Sequence, residues 1–445
     1  MSDRDPAGNL TDPVGNLTEP AERHVTPVAL NTLADGVTAP WGFRAAGVTA
    51  GLKASGKPDV AVVIADQPCT AAAVLTTNQV KAAPVVVTAD NLVSSGGVAQ
   101  AVLLNAGSAN VCCGQPGLDL ARQAAELTAT QIGCAAEQVL VCSTGVIGVP
   151  VPATPYLDAI PRVVAAASPE GGLDAAEAIM TTDLVTKEAA VHVTDSEGGS
   201  VTVGAMAKGS GMIAPGMATM LCVVTTDAPL SAEQAQGLLA DATDSTFNRI
   251  SVDGVMSTND TIILLASGTA ATPVDTAGVQ AGVTAVLGDL ARQMVADGEG
   301  ATRTAEIAVT GGTTETDALA VARQVGTDSL VKTALAGADP NWGRIIAAVG
   351  AAPVAIDSTR IRIDLEAGTG ADPAWYATPG GPGRDAVCVC RDGMATDVER
   401  ARAEAVMAAD HVRVTIDLGV GTAGSSFLTC DLTHGYITIN AEYTT

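Results

Sequence analysis

Short runs rich in Val, Ile and Ala alternate along the chain with segments whose apolar residues recur at helical spacing. Residues 59–66 (DVAVVIAD), 98–107 (VAQAVLLNAG) and 138–145 (QVLVCSTG) are compact apolar runs closed by polar or glycine turns, the pattern of buried strands. Residues 82–90 (AAPVVVTAD) follow the same pattern and are predicted as a strand. Between 107 and 138, the spacing of Leu and Ala over 118–133 predicts a helix. Ser231 and Gln234 form a capping-box pattern opening a helix over 231–247, and 279–298 is a long amphipathic helix stopped by Gly298. The C-terminal third returns to strands at 360–365, 386–390, 412–419 and 436–443, around a helix over 397–410. Residues 366–385, rich in Pro and Gly, are predicted as a surface insertion. The alternation of strands and helices predicts an α/β fold.

Composition narrows this picture. A length of 445 residues suits two or three domains at roughly 150 residues each. With 47% hydrophobic residues, only 2% aromatic and 47 glycines, the core must be built from Ala, Val, Leu and Ile in close-packed elements. Residues 1–23 repeat GNLTDP and GNLTEP and are predicted to be a disordered polar tail. The ordered chain is expected to begin near 36–52 (GVTAPWGFRAAGVTAGL).

The 48 acidic against 23 basic residues leave a net charge of −25, which repels nucleic acid and anionic membranes and excludes both as partners. A small anionic substrate then needs a locally basic pocket. Nine cysteines without CxxC spacing and four scattered histidines argue for reduced thiols, no metal site and no metal chemistry. The N-terminal residues lack the apolar stretch of a signal peptide, and the longest apolar run, 345–356, is too short to span a bilayer, so a cytoplasmic protein is expected.

The candidate chemistry sits in 208–224 (KGSGMIAPGMATMLCVV), where a lysine leads through a glycine-rich turn into an Ala–Thr pair and an apolar run. A threonine hydroxyl is a weak nucleophile, but an N-terminal threonine can use its own α-amine, of pKa about 7.7 to 8, as the base. Cleavage of Ala218–Thr219 creates such a residue. Gly209, Gly211, Pro215 and Gly216 supply a turn that exposes the bond, and 220–224 (MLCVV) anchors the new terminus in a central strand.

This stretch resembles the self-cleavage and nucleophile motif of the ornithine acetyltransferase family. Other blocks resemble the family in the same order: 36–48, 76–85 (TTNQVKAAPV), 141–148 (VCSTGVIG), 178–183 (AIMTTD), 247–254 with 257–260 (FNRISVDG, STND), 297–303 (DGEGATR), 338–350 and 436–445. The resemblance covers about residues 27–445.

It implies a layered sandwich of sheets and helices of the N-terminal-nucleophile-like type, with a smaller C-terminal α/β subdomain at about 305–430. It also implies self-cleavage into an α chain (24–218) and a β chain (219–445) that stay together as α2β2. Thr219 would take acetyl from N2-acetylornithine and pass it to glutamate by a ping-pong route without a cofactor. Thr144 and Gly145 would form the oxyanion hole, and Lys208 and Glu299 would flank the substrate. Thr181, Thr182, Asn440 and Thr445 would bind it. Some members also use acetyl-CoA; the scarcity of Lys and Arg leans against that here.

Two departures stand out: Gly216 where the family commonly has Asn, and Val255-Met256 where it usually has Asp-Thr. They suit a paralogue with a changed acceptor in secondary metabolism, or a cleaved amino-acid-binding protein without turnover. Residues 105–110 (NAGSAN) and 339–344 (DPNWGR) are assigned to turns and packing near the site, with Trp342 in the core. A nucleotide-binding loop is disfavoured, because Lys208 precedes the glycines rather than following them.

Overall fold

The structure, a computed structural model, describes residues 28–214, 220–368 and 370–442. The predicted N-terminal tail, the Ala218–Thr219 bond, Gly216 and Thr445 lie outside the described residues. In chain order the elements are β1 (Val28–Leu33), β2 (Phe43–Val48), β3 (Val60–Leu75), α1 (Ala83–Ser95), β4 (Val98–Ser108), α2 (Gly114–Ile132), β5 (Val139–Val146), α3 (Ala153–Ala166) and α4 (Gly172–Ile179). They continue with β6 (Lys187–Asp195), β7 (Ser200–Lys208), β8 (Leu221–Thr226), α5 (Ala232–Ser245), β9 (Ile250–Ser251), β10 (Thr261–Ala266), α6 (Thr276–Ala296) and β11 (Thr304–Gly312). The last are α7 (Glu315–Thr327), α8 (Ser329–Ala336), α9 (Trp342–Ala351), β12 (Arg362–Gly368), β13 (Val387–Arg391), β14 (Met394–Ala395), α10 (Arg400–Met407), β15 (His411–Asp417), β16 (Ala423–Cys430) and α11 (His434–Glu442).

Among the described residues the first sheet has nine strands in the order β1-β6-β7-β8-β10-β3-β4-β5, with β2 also paired to β3. The 16-residue β3 serves both halves: its start pairs with β2 and β4, its end with β10, and the register slips between Ile64 and Cys69. Such an irregularity bends a strand. The two halves accordingly face each other, with Ala61, Val63, Val102 and Leu104 packed in one core with Met206, Leu221, Val223 and Ile263. The alternate residues point outward, Val60, Val62 and Ile64 under α2 and α3, and Val203, Val224 and Ile262 under α5 and α6. The result is a helix–sheet–sheet–helix sandwich, as the family resemblance implies.

A second sheet of seven strands runs β14-β13-β12-β15-β11-β16-β9. Helices α7 to α10 cover its apolar face through Ile307, Val309, Ile363, Val414 and Ile416. Its strand β16 also reaches the first unit, since Leu428 and Cys430 join the core beneath α5 and α6. Trp342 is half-buried against the second core.

The predicted capping box is present: Ser231 Oγ accepts from the Gln234 N–H at 3.2 Å, and Gln234 Oε1 accepts from the Ser231 N–H at 2.9 Å. Two predicted strands are helices. Residues 82–90 open α1, where Pro84 occupies the first turn and Gly96 ends the helix in the left-handed region at φ 67°. Proline cannot donate to a strand ladder but is tolerated in a first helical turn, so it outweighs the Val run. Residues 436–443 fall largely in α11, whose turn places Tyr436 and Asn440 on one face. The insertion at 366–385 is only partly a surface loop: β12 extends to Gly368, and Trp375 is buried, its Nε1–H donating to the Gly288 carbonyl at 3.1 Å.

A candidate active centre at the end of β7

The site grows from the ladder between β7 and β8. Lys208, the last residue of β7, lies opposite Leu221, the first of β8. Met220, immediately before β8, is fixed on both sides: its N–H donates to Asp260 Oδ1 at 3.1 Å, and its carbonyl accepts from the Thr261 N–H at 3.1 Å. The chain is therefore held rigidly one residue beyond Thr219.

Lys208 is 2% exposed, and its ammonium reaches Thr181 Oγ1 at 2.7 Å and Thr144 Oγ1 at 3.5 Å. Burial lowers its pKa, opposed by the nearby carboxylates of Asp183, Glu299 and Asp260. Thr144 lies two residues before the end of β5, a strand that is well secured. Ser143 Oγ donates to Asn105 Oδ1 at 2.6 Å, and Asn259 Nδ2 donates to the carbonyls of Ala109 and Ser143 at 2.6 and 2.8 Å. Thus the 105–110 and 257–260 blocks, far apart in sequence, converge on the residue before Thr144. Gly145 has φ 126°, and a Cβ there would strike the backbone of Gly107 on the neighbouring strand.

Thr182 shares a hydrogen bond with Ser210 at 2.8 Å. The Glu299 N–H donates to the Ser210 carbonyl at 2.8 Å, and its carboxylate lies so close to Gly211 that any side chain there would collide with it. On the open side, Asn440 Nδ2 donates to Glu299 Oε2 at 2.8 Å, and one turn earlier Tyr436 Oη donates to Asp253 Oδ2 at 3.3 Å. The structure thus brings Thr144, Thr181, Thr182, Lys208, Glu299 and Asn440 to one place, with Gly145 beside Thr144. Ala218, Thr219 and Thr445 are outside the described residues.

Beneath Lys208 lies a buried charge network that sequence reasoning missed. Asp183 Oδ1 accepts from Lys187 Nζ at 2.8 Å and from the Gly209 N–H at 2.7 Å, while Oδ2 accepts from the Thr181 N–H at 3.0 Å. Lys187 Nζ also meets Asp297 Oδ2 at 2.6 Å. Burial alone would raise the Asp183 pKa, but Lys208 and Lys187 outweigh it and hold the carboxyl well below its usual range. Lys53 joins the same field; burial lowers its pKa to about 8, and its ammonium donates to the Ala178 carbonyl at 3.0 Å, just before Thr181. The signal available in the sequence was that Asp183 and Asp297 end or begin blocks already singled out, AIMTTD and DGEGATR. Val255 is half-exposed, and the Met256 carbonyl accepts from Asn78 Nδ2 at 3.3 Å. The 339–344 turn lies instead on the second unit, around the start of α9.

Among the described residues no group of three or more His, Cys, Asp or Glu could hold a metal ion, and no helix is long and apolar enough to cross a membrane. A layered α/β sandwich with a buried lysine gathering two threonine hydroxyls, one from β5 and one from the turn after α4, is the framework of an enzyme. The ArgJ family model matches residues 44–445, and the chain belongs to the ArgJ family. It is 44% identical over 410 residues to the arginine biosynthesis bifunctional protein ArgJ of Thermobifida fusca, covering 92% of this chain and 100% of that one. The protein of the same name from Mycobacterium tuberculosis is 44% identical over 418 residues, covering 92% and 96%. Among solved structures, ornithine acetyltransferase complexed with ornithine from Mycobacterium tuberculosis is 43% identical, covering 43% of this chain and 100% of that chain at a TM-score of 0.39. ArgJ from Bacillus halodurans is 35% identical, covering 44% and 99% at a TM-score of 0.40.

Proposed function

We propose that this protein is a self-processing acetyltransferase of arginine biosynthesis that carries acetyl from N2-acetylornithine to glutamate on Thr219. The observation that carries the reading is the convergence of Lys208 and Thr144 at the start of β8, two residues beyond Thr219. Family membership and ornithine in a solved relative support the substrate class.

After cleavage, the Thr219 amine takes the hydroxyl proton as Oγ attacks the acetyl carbonyl. The oxyanion forms beside Thr144 and the Gly145 N–H, a term worth about 3 to 4 kcal/mol per donor in other enzymes. The C–N bond of the amide breaks, the amine returns its proton to the departing ornithine nitrogen, and acetyl-Thr219 remains. The amine of glutamate then attacks this ester, its proton passes to the Thr219 amine and on to Oγ, and N-acetylglutamate leaves. Glu299 suits a substrate ammonium; Lys208 suits a carboxylate, and Thr181, Thr182, Asn440 and Thr445 complete the amino-acid site. The two chains remain paired, as α2β2, in the cytoplasm.

The Thermobifida and Mycobacterium relatives bear the name bifunctional. Direct acetylation of glutamate from acetyl-CoA therefore belongs to the proposal, against the expectation drawn from the few Lys and Arg residues. Labelled acetyl-CoA with glutamate tests that arm. For the main reading, mass spectrometry of the purified protein should show two chains split at Ala218/Thr219, and brief exposure to N2-acetylornithine should add one acetyl to the fragment beginning at Thr219. Thr219→Ala should stay whole and inactive. An uncut wild-type chain with full activity would sink the mechanism.

A further inference from the structure

We infer that Lys53 is a positioning residue of the active centre: with its loop, residues 49–59, it fixes the spacing between the stretch of β5 that carries Thr144 and Gly145 and the turn that carries Thr181 and Thr182. Lys53 lies outside every motif block of the sequence. Its loop is organised around one fully buried acid. Asp59 accepts from the Ala50 N–H at 2.6 Å through Oδ1, and from the Gly51, Leu52 and Lys53 N–H groups at 3.0, 2.5 and 3.1 Å through Oδ2. The Asp59 carbonyl accepts from the Ala106 N–H at 2.9 Å, which ties the loop to β4.

Two consecutive residues of this loop then meet the two walls of the site. The Leu52 carbonyl lies against Gly107, where a Cβ would come within 2.8 Å of it, and Gly107 in turn lies against Gly145. The Lys53 ammonium donates to the Ala178 carbonyl at 3.0 Å, three residues before Thr181, and to the Pro58 carbonyl of its own loop at 2.6 Å. Lys208 spans the same two walls, at 2.7 Å to Thr181 and 3.5 Å to Thr144, and those lengths hold only while the spacing is kept. A misplacement of about 1 Å can cost a reaction on the order of 100-fold. Burial lowers the Lys53 pKa to about 8; Asp59 of its own loop and Asp183 ahead of β6 oppose this, while Lys208 on β7 and Lys57 on the loop add to it. Below that pH the ammonium makes charge-assisted bonds, roughly twice as strong as neutral ones. Above it the tie to Ala178 weakens.

The kinetic arm of the test rests on the acetyl-transfer reading; a second arm needs no turnover. Lys53→Met should lower kcat for acetyl transfer from N2-acetylornithine roughly 10- to 100-fold, more than it changes KM. Lys53→Arg, which keeps a charged donor at every working pH, should recover most of that loss. In the wild-type protein kcat should decline as pH rises through about 8, and in Lys53→Arg the decline should move to higher pH. The Thr219 amine titrates in the same range with the opposite sign, since it must be neutral to act as the base, and a mere change of packing would leave the limb where it is. For the second arm, lysine enriched in 13C at Cε gives one resonance for each of the six lysines. The resonance missing from Lys53→Arg should titrate near 8, in the wild-type chain and in Thr219→Ala alike. Absence of transfer in the wild-type protein is a failure of the acetyl-transfer reading, and the titration then still decides for or against Lys53. Wild-type kcat in Lys53→Met, a descending limb unmoved in Lys53→Arg, or Lys53 titrating at the ordinary 10.5 would overturn the proposal.

Discussion

The Met220 amide donates to Asp260 Oδ1 at 3.1 Å, which pins the chain immediately after Thr219 to a fully buried acid. Burial pushes the Asp260 pKa well above its ordinary value of 3.8, so the folded protein binds this proton more tightly than the unfolded chain does. By linkage, stability contributed here declines as pH rises from the ordinary value towards the raised one. Asp260→Asn keeps an acceptor for Met220 and should remove that decline, seen as a flatter profile of urea midpoint against pH above 4. Asp260→Ala should slow chain splitting at least tenfold in a timed electrophoretic assay. Equal splitting rates in all three proteins would show that Met220 needs no anchor.

Lys187 is wholly buried between Asp183 and Asp297. Removing one partner of a buried ionic pair leaves an uncompensated charge and costs about 3 to 5 kcal/mol. Lys187→Met should lower unfolding free energy by that order, measured by urea denaturation at neutral pH. A loss under roughly 1 kcal/mol, the scale of exposed pairs, would mean that Lys208 alone satisfies Asp183.

Thr144→Ala tests the oxyanion assignment. Loss of one such donor lowers kcat by roughly 100- to 1000-fold with little change in KM. The neighbouring Gly145→Ala should be worse, because the added methyl meets the Gly107 backbone at a φ suited to glycine. Soluble yield and thermal unfolding separate that steric effect from chemistry.

Asn440 is exposed and holds Glu299 from the far side. Its replacement by alanine removes a charge-assisted hydrogen bond of about 1.5 to 3 kcal/mol. If Glu299 holds the substrate ammonium as proposed, KM for N2-acetylornithine should rise roughly tenfold or more while kcat moves less. Initial-rate kinetics on the purified protein read this directly.

Compact apolar runs such as 59–66 and the Ser231/Gln234 cap announced their elements because local chemistry and packing agree there. Residues 82–90 misled because three consecutive valines favour a strand while the position of Pro84 and Gly96 favours a helix, and buried packing of Val85 and Val87 decides for the helix. At 436–443 the β-branched residues again pointed the wrong way; only helical geometry lets Tyr436 meet Asp253 and Asn440 meet Glu299. The motif blocks singled out Thr144, Lys208 and Glu299, which the fold brings to one place. The pairing of Lys187 with Asp297 was hidden, because a contact across 110 residues leaves no periodic trace in one sequence.

The order of strands in the first sheet has a consequence for any cut before Thr219. Strands β8 and β10, which follow that point, lie between β7 and β3, which precede it. In this sheet the two pieces are therefore interleaved like the fingers of clasped hands, and neither owns it intact. Severing the backbone would free an amine without loosening the clasp. Fragments expressed apart should each be left with torn edges, and a working protein should require that they meet before either has finished folding.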